Sequence, residues 1–122
     1  MNTATNPKIA FLPDHLLQQV GNDKEMQLAI IDAFVDNFPG LLEKLSFSLA
    51  QNDRTNLKHF LHQIKSSLSL FGGARPFQKA DNLEKTLTTL DDDQVKILGQ
   101  ETLDVSHQIL EEVINFRQSQ KK

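Results

Sequence analysis

The stretch HQIKSSLSLFGG, residues 62–73, holds the side chains of this sequence whose types and spacing are best suited to chemistry. Its histidine, His62, is followed one helical turn later by Lys65, and the small residues Ser66 and Ser69 come next. A neutral imidazole offers a nucleophilic nitrogen near neutral pH. A nearby cation could offset the charge of a phosphoryl group on that ring, and small neighbours leave room for a partner. The stretch is therefore a candidate carrier of a phosphoryl group.

The predicted helix over residues 54–71 turns His62 toward solvent. Its apolar residues recur every three or four positions and share one face, namely Leu57, Phe60, Leu61, Ile64, Leu68 and Phe71. His62 lies roughly 140° from the centre of that face on a helical wheel, with Lys58 and Lys65 beside it. An exposed polar residue needs no special cause, so the wheel alone leaves a plain surface histidine as the alternative.

The rest of the chain has the same helical periodicity, and no segment alternates apolar and polar residues as a strand would. Asp23 and Asp53 are placed to cap two long helices, and Gly72 and Gly73 to end one of them. Pro39 either kinks the second helix or opens another. Because the connections are short, neighbours should be antiparallel. We predict an all-α fold, an antiparallel up-down four-helix bundle with a short additional N-terminal helix.

Composition narrows the class of protein. The 122 residues suit one domain, which we divide into a flexible N-terminal tail (1–8), a helical bundle domain (9–118) and a polar C-terminal tail (119–122). With no cysteine, the chain has no disulfide, thiolate metal site or cysteine nucleophile. A net charge of -3 gives no support to nucleic-acid binding. The chain has no signal-peptide pattern and no apolar run near the roughly 20 residues that span a bilayer. We expect a cytoplasmic protein without nucleic-acid or membrane partners.

Residues 62–73 resemble the histidine-containing phosphotransfer (HPt) domain family. The family pattern is a histidine, a lysine three residues on, a glycine four on, small residues next and a glycine ten on. His62, Lys65, Ser67 and Gly72 match this pattern in register. Ser66 departs from it, because the family has glycine at that position. Serine is still small, so the departure puts transfer rate and partner choice in doubt more than activity.

The likeness extends over nearly the whole chain, and Glu84 is its most informative residue beyond the histidine. Glu84 lies in the segment ADNLE, 22 residues after His62, where family members commonly have Glu or Gln hydrogen-bonded to the active histidine. A carboxylate that accepts from Nδ1–H fixes the tautomer of the ring and leaves Nε2 free for attack.

The resemblance implies a phosphoryl carrier rather than a stand-alone enzyme. His62 would accept and donate the phosphoryl group, Lys65 would supply charge, Glu84 would orient the ring, and Ser66 and Ser69 would keep the site open. The partner, a response-regulator receiver domain or a hybrid histidine kinase, would bring the phosphoaspartate, the Mg²⁺ and most catalytic groups. The chain itself would be a monomer and would need no cofactor or metal.

Two alternatives from other classes stay open. The first is an HPt-like bundle that binds a receiver domain, or serves as a scaffold, without phosphotransfer, and Ser66 is the residue that favours it. The second is a metal-binding bundle that uses His59 and His62, which stand three residues apart on one helix. That site would need further ligands, and Lys58 and Lys65 would repel a cation.

Overall fold

The structure is a computed structural model that describes residues 9–120, and these residues form five α-helices. In chain order the helices are α1 (Pro13–Gln19), α2 (Lys24–Ala50), α3 (Arg54–Gly72), α4 (Ala74–Thr86) and α5 (Asp92–Gln120). No strand occurs within the described residues, so the predicted all-α class is confirmed. The predicted tail at residues 1–8 and the last two residues lie outside the described part, whereas α5 continues through residues 119 and 120.

The predicted helix boundaries coincide with capping side chains. A carboxylate oxygen of Asp23 accepts from the backbone N–H of Met26 at 3.1 Å, and Asp53 does the same for Asn56 at 3.2 Å. Both contacts satisfy donors that the first turn of a helix leaves unpaired. At the other end of α3, Gly73 has a φ of 84°, a conformation that glycine adopts without steric cost.

Pro39 lies inside α2, which continues unbroken to Ala50. Proline removes one backbone donor from a helix interior, and this normally favours a break. In this chain Phe38 and Leu42, on either side of the proline, are both buried in the same core. Packing on one continuous face therefore keeps the two segments in one helix, which the local sequence left undecided.

Side-chain contacts define how α3 and α4 align. His62 meets Glu84, and Lys65, three residues further along α3, meets Asp81, three residues earlier on α4. The residue number of the contact increases along α3 while that of its partner decreases along α4, so the two helices are antiparallel. This pair also has the most extensive packing of any two helices in the bundle. The α3–α4 hairpin is thus the frame on which the candidate site is built.

Helices α2 and α5 form the opposite antiparallel pair. Asp32 near the start of α2 binds Arg117 near the end of α5 at 2.7 Å. At the other end, Leu49 packs so closely on Gly99 that a Cβ added there would lie 2.6 Å from a leucine methyl group. Helix α2 also packs on α3, and α5 packs mainly on α4 and to a smaller extent on α3, which closes the four-helix bundle.

The core lies between the four long helices, and its largest fully buried side chains are all apolar. These side chains are Phe38, Phe71, Leu16, Ile31, Leu42, Leu45, Leu57, Leu61, Ile64, Leu68, Leu83 and Ile109. These residues come from all five helices, so every helix contributes to one core. No helix in the described range is both long enough and apolar enough to cross a bilayer.

The segment before α1 is tied across the end of α3. The backbone N–H groups of Ala10 and Phe11 donate to one carboxylate oxygen of Glu112 at 2.9 and 2.8 Å. The N–H of Leu12 donates to the carbonyl of Phe71 at 2.8 Å. Gly72 lies beneath this crossing, where a Cβ would approach a side-chain carbon of Pro76 to 2.6 Å. Close packing at this point requires glycine.

Candidate functional site

His62 projects from the outer face of α3, as the sequence predicted. Its side chain is 67% exposed, whereas Leu61 on one side and Ile64 on the other are fully buried. The apolar face of α3 therefore anchors the helix in the core and leaves the imidazole accessible to another molecule.

Glu84 on α4 reaches the ring of His62. One carboxylate oxygen, Oε2, lies 3.1 Å from Nδ1, which is hydrogen-bonding distance. The side chain of Glu84 is only 12% exposed, because the buried residues Ala80 and Leu83 hold this part of α4 against the core. In the neutral ring, Nδ1–H donates to the carboxylate and Nε2 across the ring keeps its lone pair. Within residues 9–120, Nε2 has no hydrogen-bond partner.

Lys65 is engaged on the Nδ1 side of the ring. Its ammonium lies 3.0 Å from Oε1 of Glu84 and 3.0 Å from a carboxylate oxygen of Asp81. The Lys65 side chain is 20% exposed, and its ammonium stands 5.9 Å from the ring centroid of Phe77. One oxygen of Glu84 is therefore ion-paired with the lysine, and the other lies at hydrogen-bonding distance from the histidine.

The charges in this cluster shift each other's protonation. Hydrogen bonds from Lys85 and Lys65 hold the pKa of Asp81 below its usual value. Hydrogen bonds to Asp81 and Glu84 raise the pKa of Lys65. A carboxyl group whose pKa is lowered by folding stabilises the folded state, and this contribution is lost as the pH falls through the lowered pKa. A lysine whose pKa is raised by folding also stabilises the folded state, and this contribution is lost as the pH rises through the raised pKa. The cluster therefore contributes to stability throughout the neutral range.

The two serines of the predicted site differ in their surroundings. Ser66 is exposed on the same outer face as His62, one turn further along α3. Ser69 is half-buried, and its carbonyl accepts from the N–H of Gly73 at 2.9 Å and lies 3.2 Å from Nε2 of His15. Ser66 thus borders the open space at the histidine, whereas the backbone of Ser69 ties α1 to the end of α3.

His59 does not extend the cluster. It is exposed, and its ring stacks edge-on against Phe60 with the centroids 5.3 Å apart. Among the described residues, no three histidine, aspartate or glutamate side chains are grouped so that they could hold a metal ion.

Asp81 is the member of this cluster that the sequence did not predict. A single aspartate on a helix is normally exposed to solvent, so the sequence gives no reason to place Asp81 in the site. The available signal was its spacing, because a residue three positions before Glu84 shares its face of the helix. Once Glu84 was assigned to face α3, Asp81 had to face it as well.

Similarity to known proteins shows the family and the fold of the chain. The family model of the Hpt domain matches residues 29–118, about three quarters of the chain. Among solved structures, the fold is similar to the HPT domain from the Hpt sensor hybrid histidine kinase of Shewanella, with a TM-score of 0.75 at 19% sequence identity. That match covers 88% of this chain and 92% of the Shewanella domain. No curated protein matches the sequence significantly. From the family match over most of its length, the chain belongs to the Hpt domain family.

Proposed function

We propose that His62 accepts a phosphoryl group from the phosphoaspartate of a receiver domain and passes it to another receiver. Histidine phosphotransfer in two-component phosphorelays is the function of the Hpt family, whose members are carriers that interact with receiver domains and histidine kinases. The observation that carries the assignment to His62 is its exposed ring, whose Nδ1 lies 3.1 Å from Glu84 and whose Nε2 has no hydrogen-bond partner within residues 9–120.

The proposed step is an in-line displacement at phosphorus. The lone pair of Nε2 attacks, an N–P bond forms, and the bond between phosphorus and the aspartate oxygen breaks. The aspartate leaves as a carboxylate, so no proton has to move in the step. The ring gains positive charge as its lone pair is shared, and the Glu84 carboxylate stabilises that charge through Nδ1–H. Transfer to the next receiver reverses these changes.

We propose that the chemistry of transfer is divided between this protein and its partner. The described residues around His62 supply an oriented nucleophile, whereas neutralisation of a phosphoryl group in transit requires cations such as Mg²⁺. We assign the Mg²⁺ and the remaining catalytic groups to the partner receiver domain. We further propose that the chain acts as a cytoplasmic monomer.

A direct test mixes the purified protein with a receiver domain that acetyl phosphate has phosphorylated, with the phosphoryl group labelled. Label should move to this protein and then to a second, unlabelled receiver. A complex that forms without any movement of label, across a panel of receivers, would instead support the binding-only bundle that Ser66 keeps open.

Replacing Glu84 with alanine should slow transfer about 10- to 100-fold, by analogy with the cost of removing a group that orients a metal-binding histidine. The bundle should stay folded, because Glu84 lies at the edge of the core. Glu84→Gln keeps an oxygen that can accept from Nδ1–H, so it should retain more activity than Glu84→Ala. Single-turnover label transfer measures both rates, and equal rates for wild type and Glu84→Ala would contradict the orienting role.

A further inference from the structure

Asp81 lies one turn before Glu84 on α4, and its carboxylate bridges two lysines. Oδ1 accepts from Lys65 at 3.0 Å and Oδ2 accepts from Lys85 at 2.8 Å. The Asp81 side chain is 14% exposed, whereas Lys85 extends into solvent at 70%. Asp81 therefore sits between a half-buried lysine that faces the site and a solvated lysine that does not.

These contacts form a row of alternating charge that ends at the histidine. In order, the row runs Lys85, Asp81, Lys65, Glu84 and His62, with each neighbouring pair between 2.8 and 3.1 Å apart. Two ammonium groups are matched by two carboxylates. The last carboxylate therefore has one oxygen left over for a neutral donor, the Nδ1–H of the ring.

Removal of the Asp81 carboxylate would leave two ammonium groups, those of Lys65 and Lys85, with one carboxylate, that of Glu84. Lys65 would lose one of its two carboxylates, and its long flexible stem would be less well held. Lys65 would then be drawn more strongly to Glu84, the other carboxylate that it already contacts at 3.0 Å. This attraction competes with the hydrogen bond from Nδ1–H for the same carboxylate.

We propose that Asp81 is a positioning residue for His62. It holds Lys65 beside Glu84 and takes up part of the lysine's charge, so that Oε2 of Glu84 remains available to Nδ1–H. In this arrangement Lys65 acts on the histidine through Glu84. The consequence for transfer rests on the function proposed above, whereas the consequence for the ring does not require a phosphoryl group.

The test uses Asp81→Asn, which keeps the shape of the side chain and removes its charge. Nitrogen-15 NMR of the imidazole, at a pH where the ring is neutral, measures the fraction of His62 that carries its proton on Nδ1. We expect that fraction to fall toward the mixture shown by an unrestrained imidazole. We also expect transfer to slow roughly three- to tenfold, a coupling typical of residues in one hydrogen-bonded network.

A double-mutant cycle separates positioning from simple helix stabilisation. In a Lys65→Met background, Asp81→Asn should cause no further change in the tautomer, because the ammonium through which Asp81 acts is gone. Asp92→Asn is the matched control, since it breaks a 2.7 Å ion pair with Arg54 elsewhere in the bundle. It should leave the tautomer and the transfer rate unchanged. Circular dichroism melts define a temperature at which all variants are folded.

The proposal is overturned if Asp81→Asn leaves the His62 tautomer at its wild-type fraction. It is also overturned if Asp81→Asn lowers the fraction of His62 with its proton on Nδ1 by the same amount in the wild-type and the Lys65→Met backgrounds. A tautomer shift in a protein that accepts no label would support the role of Asp81 and contradict phosphotransfer, so the two failures are distinguishable.

Discussion

Substitution of His62 by glutamine is expected to abolish label transfer from a phosphorylated receiver domain. Glutamine keeps a polar side chain of similar length and offers no nucleophilic nitrogen that could hold a phosphoryl group. Because the imidazole is 67% exposed, the change should alter the free energy of unfolding by no more than about 0.5 kcal/mol. Loss of transfer in a folded protein would then report the chemistry of the ring alone.

His59→Gln is the matched control for this experiment. His59 is exposed on the same helix, three residues earlier, and its ring packs against Phe60. We expect this variant to accept label at the wild-type rate. Transfer that survives in His62→Gln, or that disappears in His59→Gln alone, would move the site away from His62.

The largest loss of stability is expected for Phe71→Ala, at about 3–5 kcal/mol. Phe71 is 2% exposed at the end of α3, and its ring stacks on Phe34 with the centroids 4.0 Å apart. It also packs against Phe11 at 5.9 Å, so it joins α2, α3 and the segment before α1. Alanine would leave a cavity where these three elements meet. Urea unfolding of wild type and variant measures the difference.

The chain offers a matched control in Phe47→Ala. Phe47 is 67% exposed on α2, so the same truncation there removes almost no buried surface. We expect a change within about 0.5 kcal/mol. If the two phenylalanine variants were equally stable, Phe71 could not be the packing centre that the structure gives it.

The fold was predictable from the sequence because its signals are local. Capping carboxylates at Asp23 and Asp53 and the glycine pair after Phe71 each act within a few residues, so they can be read without knowledge of tertiary contacts. Pro39 was ambiguous because the choice between a break and a continuous helix depends on the core that both segments share. Glu112, which binds the backbone before α1, gave no signal at all, since its partners are about one hundred residues away.

The candidate site was predictable only in part, for the same reason. Periodicity along α3 predicted that His62 is exposed, and the family pattern directed attention to Glu84. Neither could predict that Lys65 is held between two carboxylates, because that depends on the alignment of α3 with α4. From the sequence of α3 alone, Lys65 is predicted to be an unpaired cation, because both of its carboxylate partners lie on α4. Asp81 entered the site only through this alignment.

The position of the phosphoryl group on the ring tests the central claim most directly. Protein labelled with nitrogen-15 can be phosphorylated by a receiver domain and examined by NMR for coupling between phosphorus and a ring nitrogen. Because Nδ1 is bound to Glu84, we predict coupling to Nε2 of His62, with the proton retained on Nδ1. Phosphorus on Nδ1 of His62, phosphorus on another histidine, or the absence of any N–P bond would contradict the assignment.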